Sequence, residues 1–267
     1  MRKNRAIRLT LIALSVVLVS CQKVIHLDLS SSSPKIVIQG NVYDNAGPFK
    51  VTISKTVDFD EPNIYPTVTN ATVTIRDNAG QSEVLSQGAD GTYLTSSLQG
   101  IVGHTYTLTV TVDGKTYTAS STMPDPVNID SVYYKSSVFG GSDLIALDFM
   151  NPPDKDNYYR VIHFINDVQV TGFNVFSDKT NQLEVVSYSF MSTKNYSSDT
   201  TDPTLKKGDT VTVWLEAIDK GVFDYFRTAG SEGGQNASPA NPVSNISNGA
   251  LGYFNASSVR KGSIIYQ

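Results

Sequence analysis

The clearest structural signal in this chain is the stretch TYTLTVTVDGKTYTA, at residues 105–119. Its first half alternates apolar residues with threonine, and this period of two predicts a β-strand with one face in a core. The apolar positions are Tyr106, Leu108, Val110 and Val112. Asp113-Gly114 follows and supplies the positive φ angles that a type I′ turn requires. The stretch therefore predicts a β-hairpin whose second strand reaches Ala119.

The same alternation recurs on the N-terminal side of the hairpin. Val51 and Ile53 alternate with polar residues, and so do Val73 and Ile75. Turn residues separate such strands at intervals of about ten residues, a spacing typical of β-sandwiches. With a first strand at the apolar run that begins at Ile36, residues 35–124 are predicted to form an immunoglobulin-like β-sandwich.

Two prolines in Met123-Pro124-Asp125-Pro126 mark a boundary, because proline cannot continue the hydrogen-bond ladder of a sheet. Residues 127–267 are predicted to form a second β-rich, sandwich-like domain, so the fold class of the chain is all-β. One short helix is expected over Asp219–Ala229, where Val222 and Phe226 lie four residues apart. The predicted strands are Ile129–Tyr134, Leu144–Phe149, Tyr158–Phe164, Val211–Ala217, Tyr253–Ser257 and Gly262–Tyr266.

The N-terminus carries the pattern of an exported lipoprotein. Four basic residues precede the apolar run Leu9–Val19, which is too short to cross a bilayer, since about 20 apolar residues are needed. Leu18-Val19-Ser20-Cys21 then resembles the lipobox, at which the signal is removed and the cysteine is lipidated. We expect residues 1–20 to be a signal peptide, Cys21 to carry the lipid and residues 21–34 to form a tether. An ordinary secretory signal with an incidental cysteine is the alternative.

Charge and cysteine content exclude several classes of function. The predicted signal holds four of the 21 basic residues and no acid, which leaves 17 basic against 25 acidic residues and a formal charge of −8. A protein this acidic lacks the basic surface that binding to nucleic acid requires. Cys21 is the only cysteine, so the mature protein is predicted to have no disulfide and no thiol chemistry.

Several motifs spread over the whole chain are those of a known family. They are the lipobox cysteine, Ile36–Gly40, Asn70–Val73, Gly91–Tyr93, Gly103–Leu108, Asn157–Arg160 and, most specifically, Pro242–Phe254. In these the chain resembles the lipoproteins of Bacteroidota grouped as domain-of-unknown-function (DUF) family 4249. Members are often encoded beside TonB-dependent outer-membrane transporters, so the resemblance implies an outer-membrane lipoprotein that works with such a transporter. It implies no reaction, ligand, cofactor or catalytic residue.

The residues after the lipobox do not decide which face of the outer membrane the protein occupies. Surface-export signals in such bacteria place acidic residues soon after the lipidated cysteine. Here Gln22-Lys23-Val24-Ile25 follows Cys21, and the first acidic residue is Asp28. The periplasmic and the extracellular face therefore both remain alternatives for the location of the protein.

Candidate catalytic and metal-binding residues are few. The three histidines, His26, His104 and His163, lack the spacing of metal ligands, and a zinc site would need all three together with an acid. Asp154-Lys155-Asp156-Asn157 resembles the start of a calcium loop but lacks the glycine and the distal glutamate of an EF-hand, which favours a polar turn. A second acidic group, for which a solvated loop is the default, comprises Asp58, Asp60 and Glu61.

Aromatic residues are the better candidates for ligand contacts. Neighbours in a strand point to opposite faces, so one ring of each adjacent pair is expected to face outward. Packing of that ring on a loop or on the other domain is the alternative, and Trp214 is another ring that the C-terminal segment can cover. The adjacent pairs are Tyr133-Tyr134, Tyr158-Tyr159 and Tyr225-Phe226.

The function predicted from these observations is that of a non-catalytic accessory or binding protein. It is expected to be held in the outer membrane by the lipid on Cys21 and to work with a TonB-dependent transporter. The alternative is a carbohydrate-binding or glycan-processing surface lipoprotein that uses exposed aromatic residues. No catalytic residue, cofactor, metal site or nucleic-acid partner is predicted. Convergence of exposed aromatic rings on one groove would favour the carbohydrate alternative.

Overall fold

A computed structural model describes residues 33–58, 61–135, 144–153, 155–178, 184–191, 205–231 and 241–267. The predicted signal peptide, Cys21 and nearly all of the predicted tether lie outside these residues. Strands dominate the described residues, which confirms the all-β fold class. The strands are β1 (Ile36–Tyr43), β2 (Lys50–Lys55), β3 (Thr72–Asp77), β4 (Ser82–Val84), β5 (Ser86–Gln87), β6 (Thr92–Leu94), β7 (Thr105–Val112), β8 (Lys115–Thr122), β9 (Ile129–Lys135), β10 (Leu144–Met150), β11 (Tyr158–Ile165), β12 (Val168–Ser177), β13 (Val185–Met191), β14 (Thr210–Ile218) and β15 (Leu251–Ile265). The helix, α1, spans Lys220–Ser231.

The described strands form three sheets. The longest has eight strands in the order β12-β11-β14-β15-β1-β2-β6-β5. In it the first strand of the described chain, β1, lies beside the last, β15. A four-stranded sheet has the order β4-β3-β7-β8, and a three-stranded sheet has the order β13-β10-β9. The predicted hairpin is confirmed as β7 and β8, and φ is 51° at Asp113 and 73° at Gly114, as a type I′ turn requires.

Two hydrophobic cores lie against the long sheet. In the first, the four-stranded sheet packs on β1, β2 and β15, and Ile38 and Leu108 are among the buried residues. In the second, the three-stranded sheet packs on β11 and β14, with Leu147 buried between them. β15 contributes to both cores through even-numbered residues, which share one face of a strand: Phe254 to the first and Ile264 to the second.

The long sheet crosses the boundary that was predicted at Met123–Pro126. The two cores divide near that boundary, but β15 pairs in parallel with β1 and antiparallel with β14, and Pro34–Gln267 forms one compact unit. The prediction of two closing strands was wrong, since β15 is continuous over Leu251–Ile265. Val259–Lys261 interrupts the apolar alternation, yet it stays extended because it pairs with β14.

Helix α1 covers the other face of the long sheet, and its predicted existence is confirmed. Asp219 caps the helix, because its Oδ1 accepts a hydrogen bond from Val222 N at 2.9 Å. Its Oδ2 accepts a second bond from Thr122 N at 3.1 Å, which ties the start of the helix to the end of β8. Val222 and Phe226 are buried against Tyr253 of β15.

Candidate functional site

A groove of about 400 Å³ lies on the helix-covered face of the long sheet. Adjacent residues of β15, β1 and β2 form its floor: Val37 pairs with Leu251 on one side and with Ser54 on the other, and Gln39 pairs with Thr52. Because strand residues alternate between faces, these side chains point away from the first core. The residues that line the groove are Val37, Gln39, Thr52, Ser54, Tyr65, Tyr225, Pro242, Leu251 and Gly252.

Two tyrosine rings form the walls of this groove. Tyr65 lies in the loop that follows β2, and 53% of its surface is exposed. A main-chain hydrogen bond of 2.8 Å from Lys55 N to Pro66 O holds this loop against β2. Tyr225 comes from α1, where its ring lies 5.0 Å from the ring of Tyr253. The groove thus combines one exposed ring with one ring held by its neighbours.

The same face of the sheet also buries a pair of opposite charges beneath α1. Arg160 of β11 lies directly opposite Glu216 of β14, and Arg160 Nη1 is 3.3 Å from Glu216 Oε2. Both side chains are almost completely buried. The guanidinium of Arg160 also lies 3.9 Å from the centre of the Phe226 ring, a cation–π contact that links the pair to the helix.

Part of the hydrogen-bonding capacity of this pair is unused. Glu216 Oε1, Arg160 Nε and Asn255 Oδ1 have no hydrogen-bond partner among the described residues. Burial raises the pKa of Glu216, and Arg160 and Asn255 oppose that rise because they favour the charged carboxylate. Since Glu216 has no exposed surface, the pair holds strands and helix together, and the groove is the better candidate for a ligand site.

Comparison with known protein families identifies the chain. A family model described as a domain of unknown function, DUF4249, matches residues 22–263, which is nearly the whole sequence. The chain belongs to the DUF4249 family. The resemblance drawn from its motifs is thereby confirmed. A comparison with curated proteins gives no match.

Among solved structures, the adhesin InvE of Yersinia pseudotuberculosis is similar to this DUF4249 protein over 87% of the present chain, with 14% identity and a TM-score of 0.23. The match covers 58% of the adhesin chain. Among the described residues of the DUF4249 protein, no helix has the length and apolar character needed to cross a membrane.

A second cavity, of about 250 Å³, adjoins the loop that was considered for calcium binding. Lys155, Asp156 and Asn157 line this cavity, whereas Asp154 lies outside the described residues. The buried carboxylate of Asp178 accepts hydrogen bonds from Asn157 N at 2.8 Å and from Asn157 Nδ2 at 2.7 Å. In the described part of the DUF4249 chain, no three His, Cys, Asp or Glu side chains cluster as metal ligands.

The structure places the two described histidines of the DUF4249 protein at different sheets. His26 lies outside the described residues. His104 Nδ1 is 2.9 Å from Asp77 Oδ2, at the start of β7. His163 is buried in β11, and its ring centre lies 4.9 Å from that of Phe190. The two described histidines therefore pack within the fold, away from the groove.

The acidic group in the first long loop is only partly described. Asp60 lies outside the described residues, and Glu61 N donates a hydrogen bond of 3.1 Å to the main-chain oxygen of Asp58. The side chain of Glu61 is exposed, as expected of a solvated loop. Tyr65, which follows in the same loop, is the residue that lines the groove.

Most of the aromatic pairs pack within the fold. The Tyr133 hydroxyl donates to Asp148 Oδ1 at 3.1 Å. Burial, followed by the charge of the neighbouring Tyr266, raises the pKa of Tyr134 to about 12. Tyr159 is buried in the second core, and Tyr158 on the opposite face packs on Phe223. These strand pairs follow the predicted alternation, but their outward rings meet neighbours and do not form an open platform.

Trp214 is covered as well, and the C-terminal segment contributes to the cover, which was the alternative prediction for this ring. It lies on the face opposite the second core, and its ring centre is 4.9 Å from that of Phe164 and 6.3 Å from that of Tyr43. Lys261, in the C-terminal strand β15, places its Nζ 4.0 Å from the Trp214 ring centre. Of the predicted aromatic residues, Tyr225 is the one that lines the groove.

Sequence reasoning missed Tyr65, Arg160 and Glu216. Tyr65 stands alone in a proline-containing loop, so no periodic pattern marks it. Arg160 and Glu216 could have been noticed in the sequence, because each is a charged residue inside a mostly apolar strand and charged residues are seldom fully buried without a partner. That they are opposite each other depends on the pairing of β11 with β14.

Proposed function

We propose that this DUF4249 protein is a non-catalytic, lipid-anchored binding protein of the outer membrane that acts with a TonB-dependent transporter. The observation that supports this best is the groove, a concave surface lined by two tyrosines, aliphatic side chains and a few polar groups, the usual composition of a ligand site. The described residues that line it include no acid, histidine or lysine to move a proton, so the groove suits binding better than chemistry.

The anchor and the groove are close together along the chain. Residues 21–34 would connect the lipid on Cys21 to β1, whose Val37 and Gln39 belong to the groove floor. Fully extended, those 14 residues span at most about 50 Å, so the domain would stay near the membrane surface. The link to a transporter rests on the family resemblance, and the same membrane would hold both proteins.

The anchor is tested by Cys21→Ala. We expect the variant to leave the membrane fraction or to remain uncleaved, because the thiol that receives the lipid is missing and a single short apolar segment holds a protein weakly. Fractionation and intact-mass measurement of the wild type and the variant check this. Ser20→Ala is the matched control, since it keeps a small residue before the cysteine and should stay anchored. A membrane-bound Cys21→Ala chain of mature length would show that the lipoprotein assignment is wrong.

The partner is tested by affinity purification from membranes solubilised in mild detergent. We expect a TonB-dependent transporter to be recovered with the full-length protein at a reproducible ratio. An unrelated lipoprotein carrying the same tag is the control for proteins that merely share the detergent micelles. Recovery of the protein alone, after chemical cross-linking of intact cells as well as without it, would contradict the proposed partnership.

A further inference from the structure

Among the described residues, those that line the groove carry no charge, although 17% of the chain is charged. A ligand with a formal charge would lose its hydration on entering such a site and gain no opposite charge in return. The lining instead offers the amide of Gln39 and the hydroxyls of Thr52 and Ser54 between two tyrosine rings. This composition fits a neutral ligand that has both polar edges and apolar faces.

We propose that the groove binds a neutral saccharide. The inference deepens the proposed function and rests on it, because it names the ligand class of the same groove. A neutral sugar ring has hydroxyl groups around its edge and C–H groups on its faces. Such a ring can stack a face on tyrosine while its hydroxyls exchange hydrogen bonds with amide and hydroxyl side chains.

The polar floor is available for such bonds. The side chains of Gln39 and Ser54 make no hydrogen bond within the described residues, and Thr52 Oγ1 makes only a long one, of 3.4 Å, to Gln39 O. Gln39 is exposed, and its amide offers two donors and an acceptor. The cross-strand pairs Val37–Ser54 and Gln39–Thr52 fix the main-chain spacing of these groups, so binding would require ordering of the side chains only.

The walls are suited to stacking. The Tyr65 ring is half-exposed and lies beside Ile64, which is 77% exposed. On the other wall, the Tyr225 ring is held between Phe226 and Tyr253, with ring centres 5.1 and 5.0 Å away. A ring that is already held in place loses little freedom when a ligand stacks on it. The volume of about 400 Å³ lies within the usual range for small-molecule sites.

Strand addition by an extended peptide is disfavoured by the same geometry. A peptide that joins a sheet needs an edge strand with unpaired main-chain groups. The floor strand β1 pairs along both sides, with β2 and with β15. The free side of β2 is covered where Ser54 bridges to Thr67 and where Lys50–Thr52 pairs with β6. On the outer side of β15, Leu251–Ser257 lies beyond the pairing with β14, which begins at Ser258, and there Ser244 Oγ donates a hydrogen bond of 2.8 Å to Gly252 O. The groove therefore presents mainly side chains.

The test is binding of detergent-solubilised, full-length protein to an array of neutral oligosaccharides, followed by calorimetric titration with each member that binds. We expect at least one gluco-, galacto-, manno- or xylo-oligosaccharide to bind. Tyr65→Ala and Gln39→Ala should each weaken that binding at least tenfold, and Tyr65→Phe should keep it near the wild-type value because the ring remains. Both side chains are exposed, so neither variant should alter the fold, which circular dichroism checks.

Val84→Ala is the control, because Val84 is also an exposed apolar residue but lies on β4, in the four-stranded sheet. It should leave binding unchanged. Absence of binding by the wild type to every neutral oligosaccharide would overturn the inference, as would affinities that Tyr65→Ala and Gln39→Ala leave unaltered or a preference for charged sugars or peptides. If the inference fails while a transporter is still recovered, the proposed function stands and only the ligand class is wrong.

Discussion

Gly252→Ala is expected to lower the free energy of unfolding by about 4 kcal/mol or more, which is exceptional for one methyl group. Gly252 has a φ of +97°, and it opposes Ile38 where β15 pairs with β1. A Cβ at this position would lie 1.9 Å from the main-chain oxygen of Ile38. Because main-chain atoms cannot turn away as a side chain does, the substitution must push β15 off β1.

The loss of packing would extend beyond the site of substitution. The β1–β15 pairing runs from Val37 opposite Leu251 to Tyr43 opposite Ser257, and it carries Phe254 and Ala256 into the first core. Separation of the strands would expose this apolar surface. Urea denaturation followed by circular dichroism measures the change, and failure to fold at all would agree with the prediction.

Gly80→Ala is the matched control for this substitution. Gly80 has almost the same φ, +98°, but an added Cβ would meet no atom within 4 Å. It should therefore show only the cost of an unfavourable backbone angle, about 1–2 kcal/mol. Equal effects of the two substitutions would show that the close approach of β15 to β1 does not determine the stability of the fold.

Arg160→Ala is expected to destabilise the protein by about 3–5 kcal/mol, because it leaves the buried carboxylate of Glu216 without its cation. The substitution also removes the cation–π contact with Phe226, which helps to dock α1. The free energy of unfolding of the double variant Arg160→Met, Glu216→Leu should lie within about 1–2 kcal/mol of the wild-type value. Burial of two apolar groups avoids the desolvation of both charges. Thermal and urea denaturation of Arg160→Met, of Glu216→Leu and of the double variant give the coupling between the two residues.

The pH dependence of Arg160→Ala supplies a second readout. Burial already raises the pKa of Glu216 in the folded wild type, so the folded state holds a proton over a pH range in which the unfolded state has released it. The stability that this proton contributes is fully present below the pKa of Glu216 in the unfolded state. It is lost as the pH rises through the pKa of Glu216 in the folded state. Removal of Arg160 raises the folded pKa of Glu216 further, so this loss should extend to higher pH and become larger in total. Glu216→Gln in the same background should abolish it, and an unchanged pH profile would contradict the assignment.

Local patterns predicted the elements that have one buried and one exposed face. The β7–β8 hairpin followed from alternation and Asp113-Gly114, and α1 followed from Val222 and Phe226. Strands β12 and β13 were not predicted. Each lies at the edge of its sheet, and β12 buries only one of its first six side chains, so its sequence has no clear alternation.

Only one of the two tyrosines of the groove could be predicted from the sequence. Tyr225 was a candidate because it adjoins Phe226, but nothing in the sequence joins it to Tyr65. The two rings lie at one site because the loop after β2 and the helix after β14 flank the same floor. That arrangement depends on β15 lying between β14 and β1.

The sequence by itself determined the β class, the hairpin, the helix and the family, and it predicted the lipid anchor at Cys21. Each of these depends on residues that are neighbours along the chain. Only the tertiary structure decided the long sheet that pairs Asn41 with Asn255, the contact of Arg160 with Glu216 and the assembly of the groove. Alternation within a strand specifies which face is buried and leaves the partner strand open, so pairings between distant segments come from packing of the whole chain.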